Sequence, residues 1–438
     1  MAKLKTGITI KTSEGEDIFV QEQLGEGGQG IVYKVQFRGK PMALKWYSKG
    51  LGENAEKFYR NLERNVKSGS PAKTFLWPIA LTNMDSSTCC GYIMDLRPKE
   101  FKDFDMFLLN RVQYKSFSAI VNTALQIVAS FRLLHNKGLS YQDLNDGNFF
   151  INPENGDVLI CDNDNVMAEG ENLGIQGKPK YMAPEVVCLN KKPDAFSDRF
   201  SLAVILFMLF FKGHPLDGQN DNPATDPAKN EMNLYCKNPV FIFDPKNASN
   251  RPDPEIHKNP ILFWPYFPSS IRMAFIKAFD KTLMDYDGGA ERESRIIEKQ
   301  WMLELIKLRH QIVTVNGEET FFDPEDEEHI DMNTDKAFVT PPLLKVGKYS
   351  CPLQPGRNLY QYEIEDIDVT LEELGNSIGE VIANKNNPGI WGLRNTSDKP
   401  WTKLTPGGKQ EIVEPGKVVP VARGVKITFP SKEVGEIV

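Results

Sequence analysis

The chain has 438 residues, of which 40% are hydrophobic and 25% charged. This is the composition of an ordinary globular protein, long enough for two or three domains. Its formal net charge of -7 argues against a broad basic surface for nucleic acid or anionic membranes.

The cysteines and the apolar runs predict the compartment. None of the six cysteines forms a CxxC pair, so we expect neither a zinc site nor a disulfide framework, and a reducing compartment fits. The N-terminus leads into no apolar signal core. The most apolar run, residues 200–211, is too short to span a bilayer and predicts a buried helix. We therefore expect a cytoplasmic protein without a membrane span.

A glycine-rich loop follows the first predicted strands. Gly25, Gly27 and Gly30 form the pattern G-x-G-x-x-G, in which the missing Cβ atoms let backbone N–H groups approach phosphates. A dinucleotide fold would need a helix to begin at Gly30. Residues 31–37 are instead β-branched and aromatic with alternating polarity, which predicts a strand. The pattern favours a nucleotide flap between two strands, with a plain hairpin as the alternative.

The next predicted strand, residues 42–47, places Lys45 inside an apolar run. An unpaired ammonium is costly there, so we expect an anionic partner: phosphates, a carboxylate or both. A helix is predicted over about residues 55–67, where Glu63 is the preferred partner and Glu56 the second choice. The alternative is an edge-strand lysine with its head in water.

A polar loop between two apolar runs carries Asp143 and, five residues later, Asn148. A second acid, Asp162, ends the apolar run that follows. Asp143 is suited to accept or orient a hydroxyl proton, and Asn148 and Asp162 offer hard oxygen ligands to Mg²⁺. Because Asp and Asn also fill ordinary turns, this prediction depends on the residues before and after the loop.

Those residues resemble the protein kinase family. The glycine loop, the Ala-x-Lys strand and the helix carrying Glu are similar to a kinase small lobe. Residues 177–185 read GKPKYMAPE and closely resemble the end of a kinase activation segment, G-T-P-x-Y-x-A-P-E. The resemblance implies an α+β, bilobal fold with lobes at 1–96 and 97–308. It also implies ATP and Mg²⁺, or Mn²⁺, as cofactors.

The resemblance further implies an adenine site. Met94 would guard the back of the pocket, and Asp95 and Arg97 would lie along the hinge, where backbone groups hold adenine. Val32 and Ala43 would cap the purine face. Each of these apolar residues could equally be plain core.

The chain departs from the family pattern in both polar loops. Tyr141 and Gln142 replace His and Arg of H-R-D, and the missing arginine argues against activation through a phosphate on the activation segment. The metal motif D-F-G reads D-N-D, because Asn163 and Asp164 follow Asp162. We expect a stiffer site or a different inactive state. Asp164 is expected to be a solvated turn residue, with a second metal-side acid as the alternative.

A lysine is missing at one position and gained at another. Asn145 stands where serine/threonine kinases usually carry a lysine that contacts the transferring phosphate, and Lys178 replaces the threonine of the activation segment. The two positions face each other in that fold. We hypothesise that Lys178 supplies the missing cation, since lysine suits phosphate as a mobile point charge. An exposed lysine is the alternative.

The resemblance also assigns supporting roles. Asp198 would brace the catalytic-loop backbone, and Arg295 would form a buried ion pair with Glu185. His135, at the end of an amphipathic helix, is expected to be structural.

The tail changes in texture. Residues 309–340 contain an acidic run and are predicted to be a solvated linker. Across 341–438, short alternating runs separated by Pro-Gly turns predict a small all-β sandwich. Its late strands loosely resemble forkhead-associated domains, but their phosphothreonine-binding residues are missing, and Arg394 is expected to be salt-bridged. We expect an interaction or regulatory module without a committed ligand.

The sequence thus predicts a serine/threonine protein kinase that also phosphorylates itself. Its departures resemble bacterial kinases of tellurite-resistance-type gene sets, which implies a metal-dependent phosphatase and a von Willebrand-type domain protein as candidate partners. One alternative is a pseudokinase scaffold, suggested by the altered motifs, although Lys45, Asp143, Asn148 and Asp162 are retained. The other is a small-molecule kinase, which the intact Ala-Pro-Glu sequence and the retained Asp198 argue against.

Overall fold

The computed structural model describes residues 3–28, 30–174, 177–222 and 224–438. The N-terminal part is a six-stranded sheet in the order β1-β2-β3-β4-β6-β5, covered by one helix. Its elements are β1 (Thr9–Lys11), β2 (Asp17–Glu26), β3 (Ile31–Phe37), β4 (Lys40–Trp46), α1 (Ala55–Ser68), β5 (Ala80–Leu81) and β6 (Gly91–Asp95).

Strand β3 shows why the sheet forms. Its alternating residues Ile31, Tyr33, Val35 and Phe37 are buried on one face, as the period of two requires. The opposite face of the sheet packs against α1 through Leu62. The predicted strand after the glycine loop is therefore confirmed.

The second part is mainly helical and is built around two buried helices, α3 and α5. Its helices are α2 (Phe104–Leu108), α3 (Phe117–Asn136), α4 (Pro184–Val187), α5 (Ala195–Phe211), α6 (Pro227–Met232), α7 (Lys258–Phe263), α8 (Ser269–Ala278) and α9 (Glu298–His310). Its short strands are β7 (Lys102–Asp103), β8 (Leu139–Ser140), β9 (Phe149–Ile151), β10 (Val158–Ile160) and β11 (Met167–Ala168).

Both central helices begin where local chemistry requires. Ser116 caps α3 by accepting a hydrogen bond from the Ala119 N–H, and Asp194 and Ser197 form a capping box at the start of α5. The apolar run 200–211 lies inside α5 and is buried, as predicted. Within the described ranges, α3 is long and apolar enough to cross a membrane, but 61% of its apolar window is buried inside the protein.

One disulfide corrects the prediction that the cysteines form no disulfide framework. Cys188, directly after α4, is bonded to Cys236 across 48 residues, with the two Cα atoms 5.6 Å apart. Among the residues that the structure describes, the other four cysteines are buried and outside any disulfide. The two partners lie far apart in sequence and meet because α4 packs against the turn at 233–237.

The predicted linker at 309–340 is also corrected. It contains two hairpins, β12 (Ile312–Val315) with β13 (Glu318–Phe321) and β14 (His329–Asp331) with β15 (Lys336–Phe338). Glu319 accepts hydrogen bonds at 2.7 Å from the Ser118 N–H and hydroxyl, and Asp323 accepts them from Ser269 at 2.8 and 2.6 Å. These acids cap the first turns of α3 and α8, where N–H groups lack partners. Only residues 324–328 remain as an exposed acidic run.

The C-terminal part has the all-β character predicted for it. One sheet has six strands in the order β17-β16-β25-β24-β21-β22, and the other has four in the order β18-β19-β20-β23. Both contribute to one core that includes Leu344, Leu393, Trp401 and Ile427, so they form a sandwich. The strands are β16 (Leu343–Val346), β17 (Tyr349–Pro352), β18 (Asn358–Tyr360), β19 (Ser377–Ala383), β20 (Trp391–Asn395), β21 (Trp401–Leu404), β22 (Gln410–Val413), β23 (Val418–Pro420), β24 (Lys426–Thr428) and β25 (Val434–Ile437).

The sandwich is attached to α3 and α9. Arg132 donates to Asp368 at 2.6 Å, and Arg309 donates to the Tyr362 hydroxyl at 2.6 Å. Arg394 is salt-bridged to Glu380, as expected. The likeness to forkhead-associated domains stays a prediction.

Short turns complete the secondary structure. The 3-10 turns are at Gly52–Asn54, Asp146–Asn148, Asn163–Asn165, Trp264–Tyr266, Lys281–Met284, Ala290–Ser294, Gln361–Glu363 and Glu373–Gly375, and a π-helical turn is at Asn233–Lys237.

Candidate active site

The glycine loop joins β2 to β3 and is closed by a hydrogen bond of 2.8 Å from the Gly27 N–H to the Gly30 carbonyl. A Cβ on Gly30 would lie 2.6 Å from the Trp46 carbonyl oxygen, so only glycine fits there. Gly25 pairs with Val32 across the hairpin. A strand, not a helix, follows Gly30, which excludes the dinucleotide arrangement.

Three of the residues expected around adenine, Val32, Ala43 and Met94, share one face of the sheet. Val32 pairs with Lys45 across β3 and β4, and Ala43 pairs with Met94 across β4 and β6. Cross-strand partners lie on the same face, and so do residues two apart in a strand. Ala43 and Met94 are buried and Val32 is partly buried, while Asp95 is exposed.

The Arg97 side chain lies on the large lobe. Its guanidinium donates to Asp103 at 2.9 Å and sits 4.1 Å from the centre of the Phe150 ring. The adenine roles of Val32, Ala43, Met94, Asp95 and Arg97 stay predictions.

Lys45 is buried and has two carboxylate partners, both from the turn after β10. Its Nζ lies 3.2 Å from Asp162 Oδ1, and 3.1 and 2.9 Å from the two oxygens of Asp164. Burial alone would lower the pKa of Lys45, but the charges of Asp164 and Asp162 raise it above its ordinary value. The ammonium is therefore held in its charged form.

The structure corrects the expected pairing of Lys45 with Glu63. Glu63 lines a surface cavity with Arg60, Arg64 and Lys67, and Glu56 is exposed beside Arg60. The inward face of α1 instead presents Asn61 and Asn65, which are four residues apart and therefore adjacent on the helix. Glu63 is two residues from each of them, which turns it away from that face.

The structure also corrects the expectation that Asp164 is a solvated turn residue, because Asp164 is fully buried. Besides Lys45, it accepts a hydrogen bond from the Tyr47 hydroxyl. The sequence held one signal for this role of Asp164. An acid stands where the family pattern has glycine, and Lys45, in an apolar strand, needed an anionic partner.

The catalytic loop is braced from below by Asp198, as predicted. Its carboxylate accepts hydrogen bonds from the Tyr141 N–H at 2.6 Å and the Gln142 N–H at 3.0 Å. Gln142 has a φ of 71°, a left-handed conformation that a non-glycine residue keeps only when its surroundings hold it.

Asp143 lies half-buried near Asp162 and Asp164, the two acids of the turn after β10. Its Oδ1 accepts a hydrogen bond from the Asn145 amide at 3.1 Å, and its Oδ2 accepts one from Asn165 at 3.4 Å. Burial raises the pKa of Asp143 to about 6, and the nearby charges of Asp162 and Asp164 act in the same direction. A carboxylate with this pKa is suited to take up a proton near neutral pH.

Asn148 and Asp162 are set up to offer oxygen atoms. Asn148 donates from its amide nitrogen to the Tyr141 hydroxyl at 2.9 Å, and that hydroxyl donates to the Cys161 carbonyl. The amide oxygen of Asn148 is thereby left for a cation. The Asn148 carbonyl accepts from the Cys161 N–H at 2.9 Å, which places Asn148 beside Asp162, whose side chain is 45% exposed. This set of hard oxygens fits Mg²⁺.

Lys178 lies against the catalytic loop. Its Nζ is 2.8 Å from Asp146, and its charge lowers the pKa of Asp143. The Lys178 ammonium and the Asn145 amide oxygen both lie within 4 Å of the Cβ position of Gly147. The two positions therefore flank one glycine, although the role of Lys178 toward phosphate stays a prediction.

Gln142 occupies the place of the absent arginine and binds the activation segment directly. Its side-chain amide donates to the Glu171 carbonyl at 2.6 Å and accepts from Asn172 at 2.9 Å. Residues 163–183 contain neither serine nor threonine. In the described part of the segment, the contacts of Gln142 are neutral hydrogen bonds that need no phosphate, and Glu171 also pairs with Arg64 at 2.9 Å.

Two buried polar clusters in the described part of the large lobe contain residues that the sequence singled out. Arg295 donates to both oxygens of Glu185 at 2.8 Å, which confirms the predicted ion pair. His135 lies 2.9 Å from Glu298 and 3.2 Å from Asp198. Burial lowers the pKa of His135, but its bonds to Asp198 and Glu298 outweigh burial and raise it to about 9. His135 is structural, as expected.

Comparison with known proteins agrees with this two-lobed architecture. The protein kinase domain family matches residues 19–263, more than half of the chain. The chain belongs to the protein kinase family.

Several curated kinases are similar. A probable serine/threonine-protein kinase of Schizosaccharomyces pombe, C70.05c, is 29% identical over 34% of this chain and 21% of its own length. Protein kinase YegI of Escherichia coli is 23% identical over 70% of this chain and 47% of its own length. Serine/threonine-protein kinase ULK3 of Xenopus laevis is 28% identical over 46% of this chain and 43% of its own length. The chain spans between about a fifth and a half of these relatives.

Among solved structures, the kinase domain of Mycobacterium tuberculosis PknI is similar to 70% of this chain over its own full length. The TM-score is 0.47, and the sequences are 16% identical.

Proposed function

We propose that this chain transfers the γ-phosphate of ATP to serine or threonine hydroxyls of proteins, including its own. The observation that carries the proposal is the convergence of a charged lysine, a carboxylate of raised pKa and two residues with oxygen ligands at one place in the fold. Lys45 contacts Asp162 at 3.2 Å, and Asp143 lies near enough to Asp162 for that charge to raise the pKa of Asp143. Catalysis would then consist of positioning and charge neutralisation.

Each residue has one task in this scheme. Lys45 and the N–H groups of the glycine loop bind the phosphates, and Asn148 and Asp162 would hold Mg²⁺ or Mn²⁺. The bound cation supplies neutralisation of phosphate charge. Asp143 orients the acceptor hydroxyl and takes its proton. The hydroxyl oxygen forms a bond to the γ-phosphorus, and the bond to the bridging oxygen breaks, so that ADP leaves with the electron pair.

The substrate class is supported by the relatives, several of which are named serine/threonine kinases. The altered motifs support the proposal of a bacterial enzyme, and we also propose a cytoplasmic location. On the same grounds we propose a metal-dependent phosphatase and a von Willebrand-type domain protein as its partners, with the β-sandwich as the interaction module.

The test is incorporation of labelled γ-phosphate from ATP with Mg²⁺ or Mn²⁺, with mapping of the modified sites. Asp143→Asn should lower incorporation by about 10³-fold, because a positioned base is lost. Asp105→Asn, an exposed acid on α2, is the matched control and should keep full activity.

Two outcomes would contradict the proposal. Nucleotide binding by the wild-type chain without transfer under either cation would indicate a pseudokinase scaffold. Transfer to sugars or antibiotics but not to proteins would indicate a small-molecule kinase.

A further inference from the structure

We propose that Asp164, rather than a carboxylate on helix α1, is the positioning residue that holds Lys45 against the nucleotide phosphates. The proposal rests on the proposed function and names the acid on which that function's lysine depends.

The contacts of Asp164 are those of a dedicated partner. Both of its oxygens lie within 3.1 Å of Lys45 Nζ, and the Tyr47 hydroxyl donates to one of them. Its side chain is completely buried, whereas that of Asp162 is 45% exposed. Burying a carboxylate is costly unless it is paired and hydrogen-bonded, and these donors meet that requirement.

Asp162 and Asp164, the two acids of the turn after β10, therefore have different roles. Asp162 contacts Lys45 through one oxygen and is 45% exposed, so it could also bind a cation. Asp164 contacts Lys45 through both oxygens from the closed side. If Asp162 holds a cation, Lys45 would keep Asp164 as a partner, so the ammonium would stay fixed with nucleotide bound.

Helix α1 has a different task in this arrangement. Asn61 and Asn65 donate to the Val166 carbonyl at 2.9 and 3.0 Å, and Asn61 reaches the Asp164 carbonyl at 3.5 Å. The helix thus holds the backbone of the turn, and the turn holds Lys45. No described contact joins a carboxylate of α1 to Lys45 in the ranges that the structure covers.

The turn is anchored on its other side as well. The Asn163 amide donates to the carbonyls of Leu76 and Ile160, both at 2.9 Å, from a fully buried position. Asn163 replaces an apolar residue of the family pattern with a polar anchor. The acid that pairs with Lys45 is consequently built into the metal turn, and no helix movement is required to bring it into place.

The experiment compares Asp164→Asn, Asp164→Glu and the control Glu63→Gln. Binding of a Mg²⁺-bound, non-hydrolysable ATP analogue and steady-state phosphoryl transfer are measured for each folded variant. Asp164→Asn should lower kcat/KM for ATP by about 10²-fold and weaken analogue binding, because Lys45 loses its fixed position. Asp164→Glu should recover part of the loss, and Glu63→Gln should stay within about twofold of wild type.

Tyr47→Phe covers the case in which Asp164→Asn fails to fold. It keeps the carboxylate, removes one hydrogen bond, and should raise KM for ATP by about threefold to tenfold.

Three results would overturn the inference while leaving the proposed function intact. They are wild-type kinetics and analogue binding in Asp164→Asn, wild-type KM in Tyr47→Phe, and a loss above tenfold in Glu63→Gln. A wild-type chain that neither binds the analogue nor transfers phosphate would overturn the proposed function itself.

Discussion

Two buried ion pairs of this protein each join residues more than 100 positions apart, but their surroundings indicate different roles. Lys45 with Asp164 joins residues 119 apart, and Arg295 with Glu185 joins residues 110 apart. Both acids are completely buried. Arg295 is saturated, since it also donates to the carbonyls of Leu283 and Phe196. Lys45 is itself buried but also pairs with Asp162, whose side chain is 45% exposed, so this group of charges reaches solvent on one side.

This difference shows that the burial of an ion pair distinguishes a structural role from a role in a ligand-binding site. A pair closed on all sides can only stabilise, and its loss leaves an uncompensated charge in the interior. A pair with one open side can exchange a partner for a ligand. We therefore expect changes at Glu185 to be seen in folding and changes at Lys45 to be seen in turnover.

The largest effect should come from Lys45→Met. Loss of the ammonium should lower kcat/KM for ATP by about 10³-fold, because the phosphates lose their fixed cation. The measurement is labelled phosphate transfer at a temperature at which circular dichroism shows a folded variant. Lys115→Met, in the exposed pair with Glu154, is the control. Retention of more than a tenth of the activity would remove Lys45 from the site.

Glu185→Gln should be the matching test on the scaffold side. It leaves Arg295 buried without its charge partner, which typically costs about 3–5 kcal/mol. Urea unfolding gives the free energy of unfolding. Glu154→Gln removes an exposed pair and should cost less than about 1 kcal/mol. Equal losses in the two variants would show that Glu185 and Arg295 are not a sealed pair.

The His135 cluster should make the stability of the large lobe depend on pH. Its folded-state pKa of about 9 lies above the ordinary 6.5, so its contribution is fully present below pH 6.5 and is lost as pH rises through 9. The shift corresponds to about 3 kcal/mol. Unfolding free energies of wild type and His135→Gln, measured from pH 6 to 10, isolate this contribution because the other titrating groups are common to both. Parallel curves would contradict the assignment.

Substitution of Lys178 should have the smallest effect on activity, and it should act partly through Asp143. Asp143 must be ionised to accept a proton, so kcat should fall below pH 6. Because the charge of Lys178 lowers the pKa of Asp143, Lys178→Ala should move this midpoint upward. Loss of the hypothesised phosphate contact should lower kcat by about tenfold at saturating ATP and peptide. Lys180→Ala is the neighbouring control, and a wild-type kcat in Lys178→Ala would end the hypothesis.

Much of the fold could be read from local patterns. The alternation of β3 and the apolar run of α5 predict a strand and a buried helix because each pattern has the period of its element. The disulfide was missed because it joins residues 48 apart in the chain. The two hairpins at 309–340 are local in sequence, but they lie in an acidic segment whose composition is that of a linker. The acids Glu319 and Asp323 look like linker residues until the starts of α3 and α8 are seen beside them.

By itself, the sequence determined which residues are available and in what order: a glycine loop, a lysine in an apolar strand, and polar loops with Asp143, Asn148 and Asp162 at fixed spacing. Only the tertiary structure decided which acid meets Lys45. Spacing along a helix fixes distance in the chain, but the rotation of α1 turns Glu63 outward while the turn after β10 carries Asp164 inward. Side-chain direction depends on how the elements pack, and this information is not local to any motif.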